Sequence, residues 1–178
     1  MKRRWLSPFA ITQILMLAVI AVALWMAYWP WRWGQVREEV RTRFPSVKHI
    51  EGEKLQQWLA GRTAPPLLLD IRSATEFEAS RLPGARRAKA GGTLAENDLI
   101  GREKAQVVVY DTVGFDASAF ARALLDRKFE DVQVLEGGIY QWANEGRTLV
   151  GPGGVMATKV HPGSEDYASL LDGARRGP

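Results

Sequence analysis

Residues 67–88 read LLLDIRSATEFEASRLPGARRA and predict a strand, a turn and a helix in close succession. The opening LLLD is a short, fully apolar run that ends in charge, which is typical of a strand buried in a parallel sheet. Ser73 is followed three residues later by Glu76, the spacing of a helix capping box. The stretch therefore predicts a buried strand that passes through a capped helix start into a short helix.

The chain on either side continues the alternation of strands and helices. Upstream, VKHI is suited to a short strand and EKLQQWLA has helical apolar spacing that ends at Gly61. Downstream, QVVVYD predicts a second buried strand, FDASAFARALLDRKF an amphipathic helix, DVQVLEGG a third strand and IYQWANEG a short helix. Alternation of this kind favours an α/β fold, a parallel sheet with helices on both faces.

In order and spacing, these segments resemble the rhodanese-like family. The first stretch carries an Asp-x-Arg strand end, then Glu-Phe, then a Leu-Pro-Gly-Ala turn, at Asp70, Arg72, Glu76, Phe77, Leu82, Pro83, Gly84 and Ala85. The second half carries glycines and a tryptophan where that series has them, at Gly114, Gly137, Gly138 and Trp142. The resemblance implies a rhodanese-like domain over residues 46–150.

The resemblance places an active-site loop directly after QVVVY, and this loop lacks the family's nucleophile. Active rhodaneses have a cysteine at its first position, where this chain has Asp111, and commonly an arginine where it has Asp116. The loop equivalents are Asp111, Thr112, Val113, Gly114, Phe115 and Asp116. Because the sequence contains no cysteine at all, cysteine-dependent sulfur transfer is not expected, and no catalytic residue is assigned.

Several roles remain open for Asp111. In a structural role its carboxylate would accept hydrogen bonds from the loop N–H groups in place of a bound anion, with Asp116 or Ser118 capping the following helix. As a phosphoryl-accepting nucleophile it would normally need Mg²⁺ and a second aspartate two residues on, which DTVGF lacks. Binding of a cation or a basic partner segment by Asp111 and Asp116 is a further possibility.

The other motif residues are expected to be structural. Asp70 and Arg72 predict a buried ion pair that ties a strand end to a neighbouring loop, and Trp142 predicts a core side chain. The structural set is Asp70, Arg72, Glu76, Gly84, Gly137, Gly138 and Trp142. His49 and His161 have no companion ligands nearby in sequence, so neither a metal nor a cofactor is expected.

The N-terminal segment predicts a membrane anchor. After a basic tail (residues 1–7), no residue between Arg4 and Arg32 is charged, and residues 8–31 are long enough to cross a bilayer as a helix. Trp5 lies at one end of the run, and four aromatic residues lie at the other, as in the interfacial belts of spanning helices: Tyr28, Trp29, Trp31 and Trp33. A cleaved signal peptide and a buried core helix are the alternatives, but the run is long for the first and apolar all round, unlike the second.

These features together predict a single-pass membrane protein. A linker is assigned to residues 32–45, in which residues 36–44 could continue as a short charged helix before Pro45 breaks it. Residues 151–178 are assigned to a C-terminal extension. Basic residues flank the span on both sides, but a short basic tail normally stays inside, so the folded domain is expected in the periplasm of a bacterial inner membrane. The net charge of +4 is modest, and the lysine and arginine residues are spread along the chain, so there is little reason to expect nucleic-acid binding.

The functional hypothesis is a catalytically inactive, membrane-anchored module. It would contact the lipid bilayer through residues 8–31 and serve as an interaction or structural subunit for a membrane-protein partner. An enzyme or ligand sensor that uses the Asp111 pocket is the alternative.

Overall fold

The computed structural model describes residues 7–61, 64–93, 95–163 and 165–177. It divides the chain into two compact units, residues 1–35 and 36–178. Helix α1 (Pro8–Arg43) begins in the first unit and ends in the second. The predicted basic tail lies outside the described residues, apart from Ser7.

The second unit is an α/β domain. Its elements are β1 (Lys48–Ile50), α2 (Gly52–Ala60), β2 (Leu67–Asp70), α3 (Ala74–Ala79), β3 (Arg86–Arg87), β4 (Gln106–Tyr110), α4 (Phe115–Asp126), β5 (Asp131–Leu135), α5 (Gly138–Asn144), β6 (Leu149–Val150), β7 (Met156–Ala157) and α6 (Glu165–Ala168). Five strands form a parallel sheet in the order β1-β5-β4-β2-β3, and β6 and β7 form a separate antiparallel pair. The predicted parallel α/β sheet flanked by helices is confirmed.

The core lies on both faces of β4. Val107 and Val109 pack in one apolar cluster with Ala117 and Ala121 of α4. Because successive strand side chains point to opposite faces, the fully buried Tyr110 belongs to the other face. A central strand buried on both sides explains why its sequence is continuously apolar instead of alternating.

The predicted capping box forms at the start of α3. The Ser73 hydroxyl accepts a hydrogen bond from the Glu76 backbone N–H at 3.3 Å, and the Glu76 carboxylate accepts one from the Ser73 backbone N–H at 3.1 Å. Two otherwise unsatisfied helix-end donors are thereby paired. This fixes the direction in which the chain leaves β2.

The apolar part of α1 has the properties of a membrane span. Within Thr12–Arg43 an 18-residue window reaches a mean hydropathy of 1.9, and none of that window is buried in the protein. Large side chains such as Leu15, Leu17 and Leu24 are exposed. A helix in the core of a soluble domain would be mostly buried, so that alternative does not fit. A membrane span and a signal sequence share this length and composition.

The segment assigned to a linker is helical. α1 continues without a break to Arg43, and its last two turns belong to the domain, where Val36 and Val40 are buried. These valines are four residues apart and lie on one helix face. Of the residues assigned to the linker, 32–43 belong to α1, and the helix ends just before Phe44 and Pro45.

The C-terminal extension packs on its own domain. Leu170 and Leu171 are fully buried within the chain, as is Val160. The helix in this region is short, Glu165–Ala168, and ends before the two leucines.

Candidate functional site

The Asp111 loop lies at the carboxyl end of β4, the middle strand of the five. It connects Tyr110 at the strand end to Phe115, the first residue of α4. Gly114 precedes the helix with φ at 104°, a backbone conformation that a side chain would disfavour. The loop thus turns its backbone N–H groups inward at a helix N-terminus, a geometry suited to binding an anion.

The Asp111 carboxylate occupies this anion site itself. It accepts a short hydrogen bond from the backbone N–H of Gly114, one from that of Asp116 at 2.8 Å, and one from that of Ala117 at 3.3 Å. Only 5% of the residue is exposed. The structural role considered for Asp111 therefore matches the geometry: a covalently attached carboxylate stands where a bound anion would be held.

The expected cap of α4 is different from the one observed. The N-cap residue is Gly114, with no side-chain cap of its own, and Asp116 and Ser118 do not fill that role. The Ser118 hydroxyl instead donates to the Gly114 carbonyl at 2.6 Å. Asp111 supplies the acceptor from outside the helix. Its bonds to the loop N–H groups match the structural role considered from the sequence, but its bond to Ala117 within α4 was missed, because a capping side chain is normally sought directly at the helix start.

Two opposing effects set the charge on Asp111. Burial raises the pKa of its carboxyl group from 3.8 to about 6, although the hydrogen bonds from the loop N–H groups favour the ionised form. The negative charge of Asp116 contributes to this rise in the pKa. At neutral pH the carboxylate is therefore mostly ionised, but it loses its charge at a much higher pH than an exposed aspartate.

The N-terminus of α5 packs against the backbone of the loop. The backbone N–H of Ile139 donates to the Asp111 carbonyl at 2.9 Å, and that of Tyr140 donates to the Thr112 carbonyl at 3.2 Å. A Cβ at Gly138 would lie 2.5 Å from the Asp111 carbonyl oxygen, and Gly137 and Gly138 both have positive φ. The glycine pair thus permits the loop and α5 to touch.

The outer part of the loop meets the end of α1. The Phe115 ring lies edge to face with that of Phe44 at 5.7 Å, and the Arg43 guanidinium lies 5.2 Å from the Phe115 ring centroid. Val113 is buried, whereas Asp116 is exposed. Except for Asp111, the loop side chains contribute packing and surface charge.

Asp70 and Arg72 form the buried ion pair that their motif suggested. The two side chains are in contact at 2.6 Å and almost fully buried. Arg72 also donates to the backbone carbonyl of Ser80 at 2.7 Å, which ties the end of β2 to the residue after α3. This pair therefore supports the fold beside the loop.

The remaining motif residues have structural contacts. Trp142 is 2% exposed, and its indole N–H donates to the Thr148 carbonyl at 2.8 Å. Gly84 has φ at 77° in the turn before β3. Among the described residues, no group of three or more histidine, aspartate and glutamate side chains is arranged to hold a metal ion.

Sequence reasoning missed two residues beside the loop. Glu136, which follows β5, pairs with Arg41 at 2.9 Å and with Arg37 at 3.5 Å, so it holds the last turns of α1 on the domain. Tyr140 of α5 donates its hydroxyl to the Pro162 carbonyl of the C-terminal extension. No sequence pattern indicates either contact, because the partners are 22 or more residues apart.

The model of the rhodanese-like domain family matches residues 51–145, more than half of the chain. The chain belongs to the rhodanese-like family. A sulfurtransferase from Allochromatium vinosum is 31% identical over 108 residues, which cover 61% of this chain and 99% of that protein. The adenylyltransferase and sulfurtransferase UBA4 of Meyerozyma guilliermondii is 24% identical over 106 residues, 56% of this chain but only 25% of that protein.

Solved structures give the same fold. The thiosulfate sulfurtransferase from Pseudomonas aeruginosa superposes with a TM-score of 0.55 at 21% identity, over 75% of this chain and 25% of that one. The rhodanese-like domain from an Anabaena protein gives a TM-score of 0.53 at 19% identity, over 58% of this chain and 78% of that one. At these identities the likeness establishes the rhodanese-like fold.

The loop of this rhodanese-like chain has no thiol with which to carry out sulfur transfer. A persulfide needs a cysteine sulfur, and the sequence has none. A carboxylate at position 111 cannot take the place of that sulfur. Its oxygens already accept the hydrogen bonds of the loop N–H groups that would otherwise hold an anionic sulfur donor. The arrangement supports a role that is not based on cysteine.

Proposed function

We propose that this protein is a membrane-tethered, catalytically inactive rhodanese-like module that acts as an interaction or structural subunit at the membrane surface. The observation that carries the proposal is the self-occupied loop, in which the Asp111 carboxylate takes the backbone N–H groups of Gly114, Asp116 and Ala117. A loop filled in this way favours a stable scaffold over turnover. The apolar part of α1 would confine that scaffold to a bilayer.

The experiment is a mass measurement on the full-length protein extracted from its native membrane in mild detergent. We expect it to migrate in an assembly with a membrane-protein partner, and to do so equally with Asp111→Asn, which keeps the side-chain shape while removing the charge. A lone protomer or simple homo-oligomer would overturn the proposal. Loss of the assembly only in Asp111→Asn would instead favour a functional site at the Asp111 pocket.

A second candidate function is favoured by the raised pKa of Asp111. A carboxyl group with a pKa of about 6 is in the range of a general base near neutral pH. An enzyme or sensor of this kind would use the Asp111 pocket without sulfur chemistry. It predicts that small ligands stabilise the full-length protein against heat, and that Asp111→Asn abolishes the effect.

We also propose a single-pass orientation with the domain in the periplasm of a bacterial inner membrane. Because the chain has no cysteine, one introduced thiol reports its own side of the membrane. Glu78→Cys on exposed α3 should react with a membrane-impermeant maleimide in intact bacterial cells, whereas Ser7→Cys should react only after lysis. The reverse pattern would refute the orientation, and release of Glu78→Cys in soluble form would indicate a cleaved signal sequence.

A further inference from the structure

The C-terminal extension passes over the Asp111 loop between two firm attachments. We call the crossing segment, residues 161–163 and 165–169, the strap. On one side Val160 is fully buried, and on the other Leu170 and Leu171 are fully buried. The attachments are also joined to each other, because the Val160 N–H donates to the Arg175 carbonyl at 2.8 Å.

Helix α5 fixes the far end of the strap. The Asn144 side-chain amide donates to the Leu170 carbonyl at 2.8 Å and accepts from the Asp172 N–H at 2.9 Å. Arg176 donates to the Ala168 carbonyl at 2.9 Å. None of these bonds involves residues 161–163, so they can hold the far end of the strap while its middle moves.

The middle of the strap lies against the loop. The Pro162 carbonyl accepts a hydrogen bond from the Tyr140 hydroxyl. A Cβ at Gly163 would lie 2.5 Å from a Glu76 carboxylate oxygen and 3.7 Å from the Thr112 hydroxyl. The strap therefore closely approaches Thr112, the residue next to Asp111.

The attachments and the middle differ in how strongly they are held. The strap side chains that the structure describes are half-buried or exposed, whereas the three flanking aliphatic residues are fully buried. Lifting the middle would break the hydrogen bond between Tyr140 and Pro162, whereas detaching the ends would expose fully buried aliphatic side chains of the core. Gly163, at a φ of 50°, has a backbone conformation within the strap that a side chain would disfavour.

We infer that the strap is a hinged cover built into the fold, which closes the Asp111 loop in this state and lifts between its fixed ends to expose Thr112 and the loop. The cover shields a site already filled by its own carboxylate, so it controls access of partners or ligands to the loop surface. This inference concerns access alone and does not depend on the proposed function.

A single-thiol reporter tests the cover on the full-length protein. Thr112→Cys introduces the only cysteine in the chain, beneath the strap, and Glu78→Cys is the exposed comparison on α3. We expect Thr112→Cys to react with a small thiol reagent several-fold more slowly than Glu78→Cys.

Two substitutions should open the cover. Tyr140→Phe keeps the buried ring but removes the hydrogen bond to Pro162, and it should speed labelling of Thr112→Cys by up to about tenfold, the population change that one net hydrogen bond supports. Gly163→Ala disfavours the closed backbone and crowds Glu76, so it should act in the same direction. It also keeps the test decisive if Tyr140→Phe does not fold.

Tyr110→Phe is the matched control. It removes a buried phenol that accepts from the Leu82 N–H at 3.1 Å, and it should leave labelling of Thr112→Cys unchanged. The cover is refuted if Thr112→Cys labels as fast as Glu78→Cys in the parent, or if neither opening substitution speeds it. Equal acceleration by Tyr110→Phe would also refute it, because general loosening would then explain the result.

Discussion

Replacing Asp111 with alanine should empty the anion site and expose its donors. The substitution strands the N–H groups of Gly114, Asp116 and Ala117, which now share one carboxylate. Loss of a helix-capping side chain costs about 0.5–2 kcal/mol, and each buried donor left unsatisfied costs about 1–3 kcal/mol. Relief from burying a carboxylate whose pKa is raised to about 6 offsets part of this loss.

We therefore expect Asp111→Ala to lower the free energy of unfolding by about 2 kcal/mol, or Tm by roughly 5 °C for a domain of this size. Formate, a free carboxylate small enough for the vacated space, should restore part of the loss. If its Kd is on the order of 10 mM, 100 mM formate would return about 1.4 kcal/mol. Thermal unfolding of the full-length protein in detergent, with and without formate, measures both effects.

Asp116→Ala is the control, since it removes a nearby acidic group but keeps the Asp111 acceptor. Its Tm should change little, and formate should act on it no more than on the parent protein. Chloride at equal ionic strength controls for screening. The reasoning is refuted if Asp111→Ala is as stable as the parent, or if formate stabilises Asp111→Ala and Asp116→Ala equally.

Three further predictions concern stability. Because the pKa of Asp111 is about 6 in the folded protein and 3.8 otherwise, the folded state keeps a proton that the unfolded state loses, so its contribution to the free energy of unfolding should fall as pH rises from about 4 to 6. Asp111→Asn should flatten that part of the curve in urea titrations, and an unchanged slope would contradict the assignment. Arg72→Ala should cost about 3–5 kcal/mol in the same assay by leaving Asp70 buried and unpaired; a cost under about 1 kcal/mol would argue against the ion pair. Gly138→Ala should destabilise by clearly more than Gly84→Ala, since both have positive φ but only Gly138 lies against another backbone; equal losses of Tm would contradict the close approach.

The sequence predicted the sheet well because its signals are local. Apolar runs at β2 and β4, and the Ser73 capping box, each lie within a few neighbouring residues. The absence of a thiol was likewise readable directly, since the chain contains no cysteine.

The parts that sequence reasoning missed depend on contacts between distant residues. Val36 and Val40 mark the face of α1 that joins the domain, but their four-residue spacing is brief and lies among charges that suggested a linker. The loop position of Asp111 suggested an acceptor for the loop N–H groups, but nothing near it indicates that it also replaces Asp116 or Ser118 as the cap of α4. The contact of Tyr140 with Pro162 joins two segments whose own patterns indicate only a helix and a loop.

The amide protons of the loop provide the most direct test of the central claim, that Asp111 fills its own anion site. Amide NMR spectra of isotope-labelled full-length protein in detergent micelles would compare the parent with Asp111→Asn at pH 7. The account predicts that the Gly114 and Asp116 amide protons lie downfield and exchange slowly in the parent, and that both properties diminish in the variant. Identical shifts and rapid exchange in both proteins would contradict it.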